Sequence, residues 1–275
     1  MNTIIDVKQI LRSKLKDRAG MIPAAVVNYL VRTVHQDELN EILTVYRDLD
    51  GIDFMTALVE DYFRVTLTLR HEENLPDRDD GRKYIFVSNH PLGGFDGICL
   101  SYLLGRRYGG RVRCLVNDML LFIPNLRSIF VPINKVGTQN REIAGLTNEA
   151  FRSDNHIITF PAGLCSRKHR GVIRDLEWKK SFVQKAVEYG RDVVPLYFEG
   201  RNSDFFYRLA NFRKLICLKM NLEMLYLPDE LFRLKDKSFE IYVGKPVRHE
   251  TFDRSLKPAE WAERMKETVY KLREK

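Results

Sequence analysis

The spacing of apolar residues along the chain changes near residue 84. Before that point apolar side chains recur every three or four residues, which is the spacing of helices with one buried face. Four stretches show this pattern, at 4–15, 22–34, 37–49 and 52–69. The charged segment 70–83 contains Pro76 and Gly81 and is typical of a surface connection. The sequence therefore predicts a helical N-terminal segment over residues 1–70.

From residue 84 onward short β-rich runs alternate with helical patterns. The runs lie at 84–88, 112–116, 128–133, 156–160, 193–199 and 239–244, and the helical patterns at 97–107, 138–153, 178–190, 203–220 and 257–274. Buried strands that alternate with helices predict an α/β domain over residues 71–275, with a mostly parallel or mixed central sheet flanked by helices. Pro195 falls inside one run, which predicts an edge strand or a bulge there.

Charge and cysteine usage narrow the function classes. The 275 residues include 45 basic and 37 acidic side chains, a net charge of +8, so an anionic ligand, membrane face or nucleic acid is expected as a partner. The basic residues are dispersed and show no nucleic-acid-binding pattern, so no nucleic acid is expected. The four cysteines form no C-x-x-C pair, which predicts neither a metal site nor disulfides and fits a reducing compartment.

No long apolar segment is present in the sequence. The N-terminus mixes acidic and basic residues without the apolar stretch of a secretion signal, and no run of about 18 apolar residues occurs. We therefore expect a protein that is soluble or lies on one membrane face.

Candidate chemistry follows the first predicted strand, in the loop "SNHPLGGFDG" of residues 88–97. A carboxylate beside an imidazole can fix its tautomer and stabilise its cation, which would make His90 a general base paired with Asp96. Gly93 and Gly94 would allow the loop to fold back on itself. The alternative is structural: Asp96 caps a helix that starts near Gly97. Taken alone, the loop does not distinguish the two.

Other predicted strands also end in polar or basic segments. Residues 159–170, "TFPAGLCSRKHR", end in a basic cluster that could grip phosphate or could be an ordinary solvated loop. Asn134 and Lys135 follow the third strand. His156 and His169 are interpreted as structural histidines.

Taken together, four segments in this order resemble the lysophosphatidic acid acyltransferase superfamily of glycerolipid acyltransferases. "NHPLGGFD" is similar to its N-H-x4-D block and "FVPINK" to its second block. "FPAGLCS" is similar to F-P-E-G-T-R-S and "VVPL" to V-x-P-V. The resemblance spans about residues 84–200. Three departures stand out: the His90–Asp96 spacer has five residues instead of four, and Ala162 and Cys165 replace the family's glutamate and arginine.

The resemblance implies transfer of a fatty acyl group from acyl carrier protein or coenzyme A to a hydroxyl, with no bound cofactor. His90 would be the general base and Asp96 its partner, while Gly93, Gly94 and Gly163 would shape the loops or bind the oxyanion. The residues expected at the donor or acceptor are Asn89, Asn134, Lys135, Phe160, Pro161, Ala162, Ser166, Arg167, Lys168 and Arg170.

The same resemblance bears on the acceptor. The loss of the glutamate and arginine favours the hemolysin-like branch, which O-acylates monoacylated amino-acid lipids such as glycine or ornithine lipids. A 1-acylglycerol-3-phosphate acyltransferase is the alternative within the family. A non-catalytic basic protein that binds lipid or nucleic acid is the alternative of another class.

A lipid acceptor implies contact with an anionic membrane surface. We expect a cytoplasmic protein held peripherally on the inner face of the cytoplasmic membrane. The segments 205–227 and 118–130 mix apolar and basic residues and are candidates for that contact, with a core helix as the alternative for each.

Overall fold

The structure, a computed structural model, describes residues 4–15, 23–117, 123–133, 141–218 and 221–274. The chain forms two units. One comprises Met1–Leu49 and Asn202–Leu234, and the other comprises Asp50–Arg201 and Lys235–Lys275.

The α-helices of the described residues are α1 (Val7–Leu15), α2 (Ala24–Thr33), α3 (Gln36–Val45), α4 (Gly51–Thr56), α5 (Phe95–Arg107), α6 (Arg141–Arg152), α7 (Ser181–Tyr189), α8 (Asp204–Leu215), α9 (Leu227–Phe232) and α10 (Pro258–Lys271). The strands are β1 (Thr66–Arg70), β2 (Tyr84–Ser88), β3 (Val112–Asn117), β4 (Phe130–Ile133), β5 (His156–Thr159), β6 (Arg167–His169), β7 (Val172–Arg174), β8 (Asp192–Phe198) and β9 (Ser238–Val243). A π-helical turn, Ala57–Tyr62, continues α4.

The second unit contains a mixed seven-stranded sheet, which confirms the predicted fold class. Its strand order is β1-β9-β8-β2-β5-β3-β4. Strands β2, β3, β4, β5 and β8 run parallel, and β9 is antiparallel to β8. All five residues of β2 and all seven of β8 are buried, as expected of central strands covered on both faces.

The predicted helix over 52–69 is wrong at its end, because residues 66–70 form β1. This strand pairs with β9 in parallel, with Thr66 opposite Ser238 and Arg70 opposite Tyr242. Its residues alternate between exposed and half-buried. Pairing with a strand 172 residues away in sequence overrides the local helical spacing, and a short sequence window cannot reveal such pairing.

Of the two alternatives predicted at Pro195, the edge strand is wrong, because β8 lies between β9 and β2, whereas a bulge is present in the paired chain. Proline has no backbone N–H to donate, and the paired segment from Gly244 to Val247 is arranged around that absence. The Pro195 carbonyl accepts the Gly244 N–H at 2.8 Å, and the next bridge joins Val193 to Val247. Two positions separate Val193 from Pro195, whereas three separate Gly244 from Val247. The returning chain therefore carries one additional residue beside the proline, as in a β-bulge.

Two buried basic side chains hold the amino-terminal side of this sheet. The guanidinium of Arg191, just before β8, donates to the carbonyl oxygens of Phe151, Ser153 and Asn155 at and after the end of α6. His156 lies against Tyr84 and Tyr108, and its Nδ1 accepts the Tyr84 N–H at 3.2 Å. The structural role assigned to His156 from the sequence agrees with this position.

Candidate active site

The order of the strands brings two of the sequence motifs together. Strands β2 and β5 are parallel neighbours, with Val87 opposite Thr159, so the segments that follow them leave the sheet at the same edge. There the imidazole of His90 packs against the ring of Phe160, with 4.3 Å between ring centroids. The blocks "NHPLGGFD" and "FPAGLCS" thus form one site.

His90 and Asp96 lie in direct contact. Asp96 Oδ2 is 3.0 Å from His90 Nδ1, and the Asp96 side chain is fully buried. Oδ2 also accepts the Leu92 N–H at 3.0 Å. Oδ1 accepts the N–H groups of Gly94 and Gly97, at 3.1 and 3.0 Å. Asp96 therefore orients the imidazole and accepts backbone N–H groups at the start of α5, although the N-cap position, predicted for Asp96 in the structural alternative, belongs to Gly94.

The fold-back of the five-residue spacer depends on one glycine. Gly93 has φ +77°, in the left-handed region that glycine adopts without strain. Gly94 has φ 172°, which is extended backbone. Helix α5 begins at Phe95 and not near Gly97, so Asp96 lies inside the first helical turn. The chain reverses at Gly93, so the five-residue spacer returns Asp96 to His90. One carboxylate oxygen of Asp96 then contacts both the His90 ring and the Leu92 N–H.

The second ring nitrogen of His90 is the one available for chemistry. Nδ1 faces Asp96, and the His90 side chain keeps 14% of its surface exposed. An Nδ1–H donated to the carboxylate leaves Nε2 unprotonated in the neutral imidazole. Nε2 can then accept a proton from a bound hydroxyl.

A further buried carboxylate, Asp175, was missed by the sequence interpretation. Its Oδ1 accepts the backbone N–H of His90 at 3.2 Å and the hydroxyl of Ser166 at 2.6 Å, and its Oδ2 accepts the indole N–H of Trp178 at 2.9 Å. Burial raises the pKa of Asp175, whereas the hydrogen bonds lower it. Asp175 follows the basic segment without a motif of its own, and 85 positions separate it from His90, so only the tertiary structure identifies it.

The two residues that depart from the family's F-P-E-G-T-R-S block, Ala162 and Cys165, are both buried. Ala162 is 6% exposed and packs in the hydrophobic core, and Cys165 is fully buried. Neither position presents a side chain that could hold an anionic group. The Arg167 side chain, also buried, donates from one guanidinium nitrogen to the Cys165 carbonyl at 2.8 Å and contacts the Cys165 sulfur at 3.0 Å.

The basic segment forms a hairpin instead of the predicted loop. Strands β6 and β7 pair antiparallel, with Arg170 and Gly171 at the turn at φ +48° and +85°. Arg170 is exposed at the turn and Lys168 is half-buried. Two-residue turns with both φ values positive match the twist of a hairpin, which explains the change.

Several expected binding residues instead hold the framework. The Asn89 amide bonds both backbone groups of Phe198, donating to its carbonyl at 2.9 Å and accepting its N–H at 2.7 Å. The Pro161 carbonyl accepts the Lys179 N–H, and the Gly163 N–H donates to the Phe160 carbonyl. Asn134 and Lys135 lie outside the described residues, as do residues 118–122 of the candidate membrane segment 118–130.

One group of possible metal ligands occurs among the described residues, away from His90. Asp192, His249 and Glu250 hold three ligand atoms within 4.8 Å of one another, at the start of β8. Arginine side chains already balance this cluster: Arg248 lowers the pKa of Glu250 to about 2, and guanidinium nitrogens of Arg82 and Arg248 lie 3.6 and 3.7 Å from Asp192. This cluster is therefore charge-compensated by the chain itself.

None of the helices in the described part of the chain is both long enough and apolar enough to cross a lipid bilayer.

The chain is similar to known acyltransferases over nearly its whole length. The acyltransferase family model matches residues 9–275. Over 269 residues the chain is 49% identical to the lyso-glycine lipid O-acyltransferases of Phocaeicola vulgatus and Bacteroides thetaiotaomicron, covering 98% of this chain and 95% and 97% of theirs. Among solved structures, the 1-acyl-sn-glycerophosphate (LPA) acyltransferase of Thermotoga maritima is similar, with a TM-score of 0.47, 16% identity, and coverage of 98% of this chain and 97% of that one.

The family match spans almost the whole chain, and both curated relatives exceed the identity at which family membership is secure. These matches confirm the family resemblance that the four sequence blocks indicated, and they favour an enzyme over a non-catalytic binding protein. The chain therefore belongs to the acyltransferase family.

Proposed function

We propose that this enzyme transfers a fatty acyl group from an acyl thioester to the hydroxyl of a monoacylated amino-acid lipid, with lyso-glycine lipid as the acceptor to test first. The observation that carries the proposal is the contact between His90 Nδ1 and Asp96 Oδ2, in a chain 49% identical to lyso-glycine lipid O-acyltransferases.

In the proposed reaction His90 Nε2 takes the proton of the acceptor hydroxyl as its oxygen attacks the thioester carbonyl carbon. Asp96 accepts the Nδ1–H and stabilises the imidazolium that forms. The tetrahedral intermediate then collapses, the carbon–sulfur bond breaks, and His90 returns the proton to the thiolate. An ester and a free thiol result, without an acyl-enzyme.

The oxyanion of this intermediate needs N–H donors that the fold leaves available. The N–H groups of Gly94 and Gly163 donate to Asp96 and Phe160. The Gly93 N–H has no acceptor among the described residues, and Gly93 lies in the loop between His90 and the start of α5. We therefore assign the oxyanion role to Gly93 ahead of the other two glycines.

The choice of acceptor rests on the third block. The family associates its glutamate and arginine there with a glycerol-phosphate acceptor, and this chain has the buried side chains of Ala162 and Cys165 instead. An amino-acid lipid does not require side chains at positions 162 and 165 that bind a phosphate group. A 1-acylglycerol-3-phosphate is the competing acceptor.

The donor is acyl carrier protein or coenzyme A, and both carry phosphate groups. Lys168 and the exposed Arg170 on the β6–β7 hairpin are the cations of the basic segment proposed to meet them. Arg167 is proposed to support that loop from within, because its side chain is buried. Asn134 and Lys135 remain proposed binding residues from the sequence.

We further propose that the enzyme acts peripherally at the inner face of the cytoplasmic membrane, through α8 of the first unit. One face of α8 is buried through Phe206, Tyr207 and Ala210. The opposite face exposes large apolar side chains, at 48% for Phe205, 58% for Phe212 and 79% for Leu215. Arg208 lies within that stripe and Lys214 lies in the last turn, both exposed. An exposed apolar face that carries a cation fits an anionic membrane surface.

The test is an acceptor panel with purified protein. Labelled acyl carrier protein and labelled acyl coenzyme A are each offered with lyso-glycine lipid, lyso-ornithine lipid and lysophosphatidic acid. The proposal predicts diacyl product from lyso-glycine lipid or its ornithine counterpart at a kcat/KM well above that for lysophosphatidic acid. Preferred use of lysophosphatidic acid would overturn the acceptor assignment, and absence of product with every pair would overturn the reaction.

A further inference from the structure

Asp175 joins the two catalytic-loop segments to the rest of the second unit. Its side chain receives three hydrogen bonds: from the His90 backbone, from the Ser166 hydroxyl and from the Trp178 indole. Its own backbone N–H donates to the Tyr270 hydroxyl of α10 at 2.7 Å. His90, Ser166 and Trp178 therefore bond the buried Asp175 side chain, and Tyr270 bonds the backbone of the same residue.

The contacts of Asp175, Ser166 and His90 form a closed ring. The Ser166 N–H donates to the His90 carbonyl at 2.8 Å, and the Ser166 hydroxyl donates to Asp175, which in turn accepts the His90 N–H. Both backbone groups of His90 are thereby fixed, one by Asp175 and one by Ser166. Asp96 fixes the ring of the same histidine through its contact with Nδ1.

The three donors need a carboxylate. An asparagine at position 175 offers one oxygen, and its NH₂ group would face a donor, so at least one of the three donors would lose its partner. A buried donor without an acceptor costs about 1–3 kcal/mol. The carboxylate is also expensive to bury, since burial raises its pKa. An apolar residue would avoid that cost but would leave the His90 N–H unbonded.

We propose that Asp175 is a positioning residue for the acyl transfer, which holds the His90 backbone so that Nε2 meets the acceptor hydroxyl in line with the thioester carbonyl. This inference rests on the proposed function, because it assigns the base to His90. Asp175 itself does not touch the substrates. A misplacement of about 1 Å at a reacting group can cost about 10²-fold in rate.

The main test compares Asp175→Asn with Asp192→Asn. Asp192 is a matched control, because it is a buried carboxylate at the first residue of β8, whereas Asn89, next to His90, bonds Phe198 at the last. Asp192 accepts the His249 backbone N–H and contacts His249 Nδ1, each at 3.0 Å. For each variant we would measure kcat and KM per folded molecule, the urea midpoint, and amide hydrogen exchange in the peptide that contains His90.

The inference predicts that Asp175→Asn lowers kcat by about tenfold to 10²-fold, changes KM for the acceptor less than about twofold, and speeds exchange at His90. Asp192→Asn is expected to shift the urea midpoint with neither of these effects. Wild-type kcat and exchange in folded Asp175→Asn would overturn the inference, and so would an equal loss of kcat in Asp192→Asn.

Ser166→Ala provides a second variant in case Asp175→Asn does not fold. It removes one donor and keeps the carboxylate, so by itself it should lower kcat by a few-fold and speed exchange at His90, and wild-type values of both would overturn the inference. Where Asp175→Asn does fold, the loss of kcat from Ser166→Ala should largely vanish in that background. Independent, additive effects would count against the ring. If wild type transfers no acyl group, the proposed function fails, and the exchange measurement alone decides whether Asp175 holds His90.

Discussion

Asp96 Oδ2 contacts His90 Nδ1 at 3.0 Å and accepts the Leu92 N–H at the same distance, so a single oxygen fixes both the ring and the loop that carries it. Asp96→Asn keeps the shape but removes the charge that stabilises the imidazolium. We expect kcat to fall by about 10²–10⁴-fold. The urea midpoint should also fall, because the Asp96 carboxylate accepts the backbone N–H groups of Leu92, Gly94 and Gly97. Steady-state kinetics on folded protein would check this, and a kcat within threefold of wild type would contradict it.

The reversal at Gly93 can be tested with a matched glycine. Gly93→Ala places a β-carbon at φ +77°, which costs about 1–2 kcal/mol and displaces the His90–Asp96 contact. Gly81→Ala, at φ +73° in an open surface loop, carries the same strain away from the site. We expect both variants to lose similar stability in urea, but only Gly93→Ala to lose kcat. Equal activity in the two variants would show that the reversal is not required.

His156 should make stability depend on pH. Burial and the neighbouring arginines lower its pKa from the ordinary value of 6.5 to about 4, so the folded state favours the neutral ring. Between pH 6.5 and 4 the unfolded chain binds this proton more readily. Its contribution to the free energy of unfolding is therefore complete above pH 6.5 and is lost as pH falls toward 4, by about 3 kcal/mol.

The measurement is urea unfolding of wild type and His156→Gln between pH 7.5 and 4.5. The free energy of unfolding should fall more steeply with acid in wild type than in the variant. Parallel curves would mean that His156 is not the group that titrates.

The exposed face of α8 makes a prediction about membrane binding. Phe212→Asp and Leu215→Asp remove apolar area and add negative charge, so each should weaken sedimentation with phosphatidylglycerol-containing vesicles by about tenfold or more. Val187→Asp, at an exposed apolar position on α7, is the matched control and should bind as wild type does. All three should keep wild-type kcat with detergent-dispersed acceptor. Unchanged vesicle binding in the two α8 variants would exclude this face.

The sequence predicted the site best where a chemical motif directly follows a buried strand. The buried runs at 84–88 and 156–160 predicted β2 and β5, and their motifs meet because parallel neighbours end at the same edge of the sheet. The contact of His90 with Asp96 was also predicted, since only five residues separate them and a glycine reversal closes the gap.

The parts that were missed depend on distant pairing. Strand β1 forms because it pairs with β9. At Pro195 the sequence left an edge strand and a bulge open, and only the pairing with the residues near Gly244 decides for the bulge. Asp175 has no local signature, since its function in the structure arises from partners that the fold assembles. Neither periodicity nor motif spacing carries that information.

The central claim is that His90 accepts the proton of an amino-acid lipid hydroxyl. The most direct measurement is the rate of diacyl lipid formation from labelled acyl donor and lyso-glycine lipid, by wild type and by His90→Ala at matched folded concentration. The account predicts transfer by wild type and a rate at least about 10²-fold lower in the variant. Equal rates in the two proteins would contradict it.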